Sequence, residues 1–431
     1  MIQPSHGAFV DNIKIKRAAV PLFRRRNMAH FNHFHLMPRH YTLSVAYCTS
    51  SSYSTVTSNE ETDHPSSTCG VILPEDKSYH EIAHQVASKL NLILLDQSHS
   101  SSSGSSSSSS SSTVVSNSHM THSLHILPYS FKDLRTYALA IRPYMSNTNP
   151  KKIRTNHKEM MQPIFVDFCP NTQSRMGKRI YRDLKTHPAE LLLKAIYTKK
   201  IRKQTSIPSS SSPIIFDLTA GWAQDTLLMI QGDTHSHVHM VERHPIVAEL
   251  LQDALRRIQF IASQDISSFT SSISDEDDDT DTSSILYARN IESRLFLHKM
   301  NAISFIHNVK KHQQSSTSSP SLKPNMDKPD ICYLDPMFPP RTKSSAVKKN
   351  MQILHGLLQP STTIPIEDST NIHHHHRLLE EQSLLENALS ITKSHVVVKR
   401  PIHAEPLGGK SYSTLPSYSL DGSINRFDIY L

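Results

Sequence analysis

Through most of the C-terminal part of the chain, short apolar runs alternate with longer amphipathic stretches. Pro213-Ile-Ile-Phe-Asp217, Val238-His-Met-Val-Glu242, Arg294-Leu-Phe-Leu-His298, Ile331-Cys-Tyr-Leu334 and His395-Val-Val-Val-Lys399 are brief, nearly continuous apolar segments with polar bounds. That pattern predicts strands buried in a parallel sheet. Between them the period changes to that of a helix. Ala223 to Ile230 is one such stretch, and Pro245 opens another, with Val247, Leu250, Leu251, Ala254, Leu255 and Ile258 on one stripe. Asn301 to Val309, Ser344 to Leu358 and Leu378 to Ile391 read the same way. Strand and helix in alternation predict an α/β fold with a mostly parallel sheet. Arg426-Phe-Asp-Ile-Tyr430 follows the strand at 395–399 with no helix between, which predicts an antiparallel C-terminal strand.

The N-terminal part patterns differently. Tyr41 to Tyr47 alternates as a strand, and His80 to Leu95 carries Ile82, Val86, Leu90 and Leu92 at helical spacing. Residues 41–150 therefore read as a small N-terminal α/β unit, interrupted by a serine tract at 98–112 that cannot bury a core. Residues 151–431 read as the main domain, beginning with a short strand at Pro163–Phe168 and a helix from His187 to about Ile196. Polar loops are expected near 204–212, 263–284, 312–329 and 360–376.

Composition narrows the picture. The 431 residues carry a net charge of +8 with 28 histidines, which favours a polyanionic partner. The four cysteines form no CxxC pair and no ligand spacing, so a reducing compartment and no zinc are expected. The run His373–His376 and the acids Asp277–Asp279 read as low-complexity sequence, so no metal is expected. No apolar run approaches the length of a membrane span, so a soluble protein is expected. Residues 1–40 hold Lys14, Lys16, Arg17, Arg24, Arg25, Arg26 and Arg39 against one acid, Asp11. This is a basic arm or a transit peptide; the second reading places the protein in a mitochondrion or plastid, the first leaves it in the cytoplasm.

Candidate chemistry gathers at the predicted strand ends, where ligands sit in open α/β sheets. Asp335 follows the run Ile331–Leu334, and Pro336 fixes the backbone beside it, with Phe338 close behind. A carboxylate, a rigid carbonyl and an aromatic face suit a planar base with an exocyclic amine. The plainer alternative is a strand followed by a proline-rich turn. Asp217 and Gly221 form a strand and glycine turn ahead of a helix, and Glu242 ends the next strand 25 residues later, where doubly wound folds bind ribose hydroxyls. Arg175, Lys178, Arg179, Arg182, Lys185 and then Lys199 to Lys203 form the densest basic region, either a solvated face or a nucleic-acid contact.

Taken together, the segments Asp217 to Asp225, Val241 to Ala248, Tyr333 to Pro339, Lys343 to Lys349 and Val396 to Pro401 with Arg426 to Tyr430 resemble the RsmJ family, the bacterial small-subunit ribosomal RNA guanine-N2 methyltransferases. The resemblance covers about 163–431. It implies a Rossmann-like class I methyltransferase that uses S-adenosylmethionine and acts on ribosomal RNA or the small ribosomal subunit, with a monomer favoured. It carries Gln224 and Asp225 onto first-turn cofactor contacts, Glu242 and Arg243 onto the ribose pair, Met300 and Asn301 onto the adenine side, and Asp335 onto the strand-tip acid. Asp335, Pro336 and Phe338 would then hold the target base, and Arg341, Lys343, Lys348 and Lys349 would join the basic cluster on RNA phosphates. Where this chain has Gly221-Trp-Ala-Gln-Asp225 the family has Gly-Leu-Gly-Arg-Asp, so a glycine and a basic residue are missing, and Met300 replaces a hydroxyl side chain. Those departures bear on cofactor affinity. They keep open a cofactor-less RNA-binding protein, and related acid-proline-aromatic sites keep open a DNA or protein-amide substrate.

Overall fold

The computed structural model describes residues 69–95, 120–131, 134–143, 162–181, 190–197, 212–265, 279–315, 327–336, 349–358, 369–409 and 413–431. All of them fall in one unit, Thr62–Leu431. The predicted strand at 41–47, the serine tract at 98–112 and the basic arm at 1–40 lie outside the described residues.

The first elements are β1 (Cys69–Ile72), α1 (His80–Leu90), β2 (Ile93–Leu95), β3 (His122–Phe131) and β4 (Leu134–Pro143). They form a four-stranded sheet in the order β2-β1-β3-β4. The helix predicted to run to Leu95 stops at Leu90, because Asn91 takes the left-handed conformation that ends helices, and the apolar run behind it pairs as β2. The predicted strand at 163–168 is reduced to one bridge, Ile141 with Ile164, since Pro163 has no N–H to extend the ladder. Two short helices follow, α2 (Arg175–Ile180) and α3 (Leu191–Tyr197).

The main sheet is built from β5 (Ile214–Asp217), α4 (Gln224–Gly232), β6 (His237–Glu242), α5 (Pro245–Ala262), α6 (Asp279–Glu292), β7 (Leu295–Lys299), α7 (Ala302–Ser315), β8 (Ile331–Leu334), α8 (Lys349–Leu358), α9 (Ser369–Ile391), β9 (His395–Pro401), β10 (Tyr418–Asp421) and β11 (Asn425–Tyr430). Its order is β10-β11-β9-β8-β5-β6-β7. Strands β7, β6, β5, β8 and β9 are parallel, and β11 runs antiparallel to β9 and β10. The expected α/β class holds, with β10 as a hairpin strand the sequence pattern did not show.

Alternation along β8 explains why its run is continuously apolar. Ile331 and Tyr333 enter one core cluster, with Ile215, Leu227 and Leu354. Cys332 and Leu334 enter the other, with Phe216, Phe305 and Leu385. Successive side chains of a strand point to opposite faces, so a strand covered by helices on both sides needs apolar residues at every position.

Three predicted loops are partly helical. α6 starts at Asp279, inside the loop expected at 263–284, because Ile285, Ala288 and Ile291 recur on one buried face and helix propagates outward from such a packed turn. α7 runs to Ser315, into the loop expected at 312–329. α9 starts at Ser369, so His373–His376 lie in a helix and not in a loop; the anchoring face is Glu381, Leu385 and Ala388, all buried.

The small sheet is pinned to α5 by buried charges. Asp253 accepts the Leu139 N–H of β4 at 2.9 Å, Arg257 Nε at 3.0 Å and an Arg256 guanidinium N–H at 2.8 Å. Arg257 is 1% exposed, donates to the Val166 carbonyl, and lies over the rings of Tyr129 and Phe165.

Candidate active site

The carboxyl ends of β5, β6 and β8 open on a cavity of about 340 Å³. After β5 the chain must turn sharply into α4. Gly221 (φ +50°) and Ala223 (φ +52°) both take the left-handed conformation to do so. The missing glycine of the turn is thus a cost in strain and not a change of path, since Ala223 occupies the conformation a glycine would adopt at no steric cost. Trp222, between them, is buried, and its indole N–H donates to the Asn350 carbonyl at 2.9 Å, tying the turn to α8.

Two acids hold this turn. Asp217 accepts the Thr226 hydroxyl at 2.5 Å and the Thr219 N–H at 3.3 Å, and burial pushes its carboxyl up to about 7. Glu242 accepts the Gly221 N–H at 2.9 Å through one oxygen and the His244 N–H at 2.8 Å through the other. Burial raises the Glu242 carboxyl above its ordinary range of titration, and those backbone donors oppose the shift. Each oxygen retains lone-pair capacity for a hydroxyl ligand.

At the tip of β8, the Asp335 N–H donates to Thr219 Oγ1 at 2.6 Å, which joins the two loops. Lys399 of β9 donates to Asp225 Oδ2 at 2.6 Å and to Asp335 Oδ2 at 2.7 Å, and the Tyr333 hydroxyl donates to the same Asp225 oxygen at 2.6 Å. Burial works against the charge of Asp225, but the Lys399 ammonium outweighs it and holds that carboxyl below its usual value. Asp335 is shifted upward by burial, with Lys399 opposing. The ammonium itself is desolvated, yet its two acids raise its pKa.

Of the residues singled out in the sequence, Gly221, Glu242, Arg243, Asn301, Asp335 and Pro336 line the one cavity, although they come from four separate stretches of chain. Asp217 lies beneath it as a support of the turn. Asp225 faces Lys399 and Tyr333. Gln224 is exposed at the start of α4, and Met300 packs at the end of β7; neither is among the lining residues. Arg175 and Lys178 are exposed on α2, whereas Arg179 forms a two-point ion pair with Glu190, at 2.8 and 2.5 Å, and so is engaged within the chain. Phe338, Arg341, Lys343 and Lys348 lie outside the described residues, as does the side chain of Lys349.

The sequence pattern missed Thr219, Lys399 and the cavity wall that α9 supplies through Arg377, Glu381 and Leu384. Lys399 had a signal, a cation inside the apolar run His395–Pro401, but nothing local shows which acids it meets.

Comparison with known proteins agrees with this architecture. A family profile described as "Putative SAM-dependent methyltransferase" matches residues 143–273, 288–365 and 375–431, more than half of the chain. Among curated relatives, proteins named Ribosomal RNA small subunit methyltransferase J are 27% identical over 270 residues in Thioalkalivibrio sulfidiphilus, 30% over 226 in Neisseria meningitidis and 33% over 217 in Legionella pneumophila. The matches cover 62%, 52% and 50% of this chain and 76%, 66% and 62% of those relatives. The resemblance read from the motifs is therefore borne out. A solved SAM-dependent methyltransferase from Neisseria gonorrhoeae aligns over 84% of this chain and 96% of its own, at 21% identity and a TM-score of 0.43. The profile spans the strand-end cavity, the acids that line it and the sheet that carries them, and the chain belongs to the family of SAM-dependent methyltransferases.

Proposed function

We propose that the protein methylates the exocyclic N2 amine of a guanine in small-subunit ribosomal RNA. The observation that carries this is the placement of Asp335 and Pro336 in the same cavity as Glu242 and Gly221, so that an acceptor for an amine and a cradle for a nucleoside share one space. The residues fit S-adenosylmethionine. Glu242 offers two acceptor oxygens to ribose hydroxyls, Val241, Ala302 and Ile303 offer apolar walls to a base, and the volume suits a ligand of that size. The cofactor, when bound, supplies an electrophilic methyl group on a cationic sulfur.

What this chain adds is orientation and charge. The guanine amine is a weak nucleophile because its lone pair is delocalised into the ring. An anionic acceptor at Asp335 and the Pro336 carbonyl can accept hydrogen bonds from its N–H groups, fix its direction and offset developing positive charge. Exposed Arg175 and Lys178, with the net charge of +8, suit the RNA backbone. The ribosomal substrate is suggested by the names of the relatives. No helix among the described residues is long and apolar enough to cross a membrane.

Tritiated methyl transfer onto purified small ribosomal subunits, DNA and protein tests the reading. Label is expected in the small-subunit RNA, and Asp335→Ala is expected to lose on the order of a hundredfold in rate while calorimetry shows cofactor binding retained. Label in DNA or protein instead would overturn the substrate. The basic residues 1–40 further suggest a mitochondrial or plastid address. A fluorescent fusion of residues 1–45 should reach the organelle; diffuse cytosolic signal would leave the cytoplasm.

A further inference from the structure

Lys399 is not among the residues that line the cavity, yet it sits at the centre of the strand-tip charges. Placing an ammonium within the apolar run of β9 costs hydration and rotamer freedom, so it needs partners that offset both. Its partners are two acids from different elements, Asp225 of α4 at 2.6 Å and Asp335 after β8 at 2.7 Å. Both bonds engage Oδ2, which leaves Asp335 Oδ1 for a substrate.

We propose that Lys399 is a positioning residue for methyl transfer, bridging Asp225 and Asp335 so that Asp335 remains an unprotonated acceptor held toward the cavity. This rests on reading Asp335 as the acceptor of the reacting amine. The neighbouring charges show why the bridge matters. Asp217 of β5, Asp225 and Asp335 form a close group of three carboxylates. Among the described residues, the other cations acting on them are Arg179, which is paired with Glu190, and Arg400, which lies 3.6 Å from Glu381 and donates to the Glu405 carbonyl. Tyr333 adds a hydroxyl that donates to Asp225 but carries no charge to balance the acids. Without the Lys399 ammonium, burial and mutual repulsion drive a proton onto Asp335. A protonated carboxyl presents an O–H where the amine needs an acceptor.

The test compares wild type, Lys399→Met and Lys399→Arg, with Lys399→Gln in reserve if the methionine variant does not fold. Melting temperature is measured from pH 5 to 8 without cofactor. The deficit of Lys399→Met relative to wild type is expected to grow as pH rises from 5, because without the ammonium the buried carboxyls hold their protons in the folded state at pH values where the unfolded chain has already released them. A deficit independent of pH would show a packing role and overturn the proposal. In kcat/KM, the acid limb of Lys399→Met should move up by about one unit or more, the scale of losing an opposite charge at this distance, and Lys399→Arg should restore it. An unmoved limb would also overturn it. The cofactor dissociation constant should be unchanged in both variants; a large loss would make Lys399 a binding residue instead. If wild type itself labels no small-subunit RNA, the substrate reading fails, while the melting profiles still decide the part played by Lys399.

Discussion

Gly221 and Ala223 set up an internal comparison within one turn. Both have positive φ, but only the alanine carries a Cβ there. A Cβ built on Gly221 would meet Leu354 Cδ2 at 3.6 Å, an ordinary contact, so space does not forbid a side chain. The cost of Gly221→Ala is then the left-handed strain alone, about 1–2 kcal/mol. Urea unfolding is expected to show a loss of that size, and a much larger loss would mean crowding against α8. Residue type made this turn and the acids at 217, 242 and 335 readable in advance, because strand ends, glycine turns and proline restrict local geometry. It did not reveal that Asp217 and Asp225 serve the framework more than the cavity, since that depends on Thr226, Tyr333 and Lys399, which arrive from elsewhere in the chain.

At the scale of elements, α5 holds the small sheet through Asp253, which accepts the Leu139 N–H, and Arg256, which donates to the Thr136 hydroxyl and the Tyr137 carbonyl. Asp253→Ala removes the acceptor of the Leu139 N–H and the close partner of Arg257, leaving a guanidinium that is almost wholly buried. Breaking a buried pair by deleting one partner typically costs about 3–5 kcal/mol. Denaturant unfolding of Asp253→Ala should show a loss of about that size. A loss under about 1 kcal/mol would show that the Val166 carbonyl and Asp167, 3.8 Å away, already satisfy Arg257. The apolar stripe of α5 was plain in the sequence, but the role of Asp253 on its buried side was not, because an acid on a helix is ordinarily a solvated residue.

For the whole molecule, histidine burial predicts acid sensitivity. Burial lowers the pKa of His122, His125, His244, His298 and His395 from 6.5 to about 4, and that of His239 to about 3. A histidine depressed in the folded state binds more protons when unfolded, so its stabilisation is complete above about pH 6.5 and is lost as pH falls toward 4. Asp217, raised to about 7, works in the opposite sense over the same range, as do Asp167, Glu242, Glu292 and Asp335, which burial also raises, but among these acids only Asp217 is shifted as far as the six histidines. Scanning calorimetry should find a melting temperature that is level near pH 7–8 and falls steeply below about pH 6. A level profile down to pH 5 would show that these rings are not buried as neutral groups.

Local pattern was enough for the α/β class, for the positions of the main strands along the chain and for the acids at their ends, because period and turn chemistry are short-range consequences of residue type. The family resemblance could be read for the same reason, since its motifs are contiguous. Three features waited for the tertiary structure. The helices that begin at Asp279 and Ser369 draw on packed faces further along the chain, which outweigh polar composition. The small sheet is held by contacts between β4 and α5, residues far apart in sequence. Lys399 joins acids from two other elements, and electrostatic pairing depends on distance in space, which spacing along the chain does not encode.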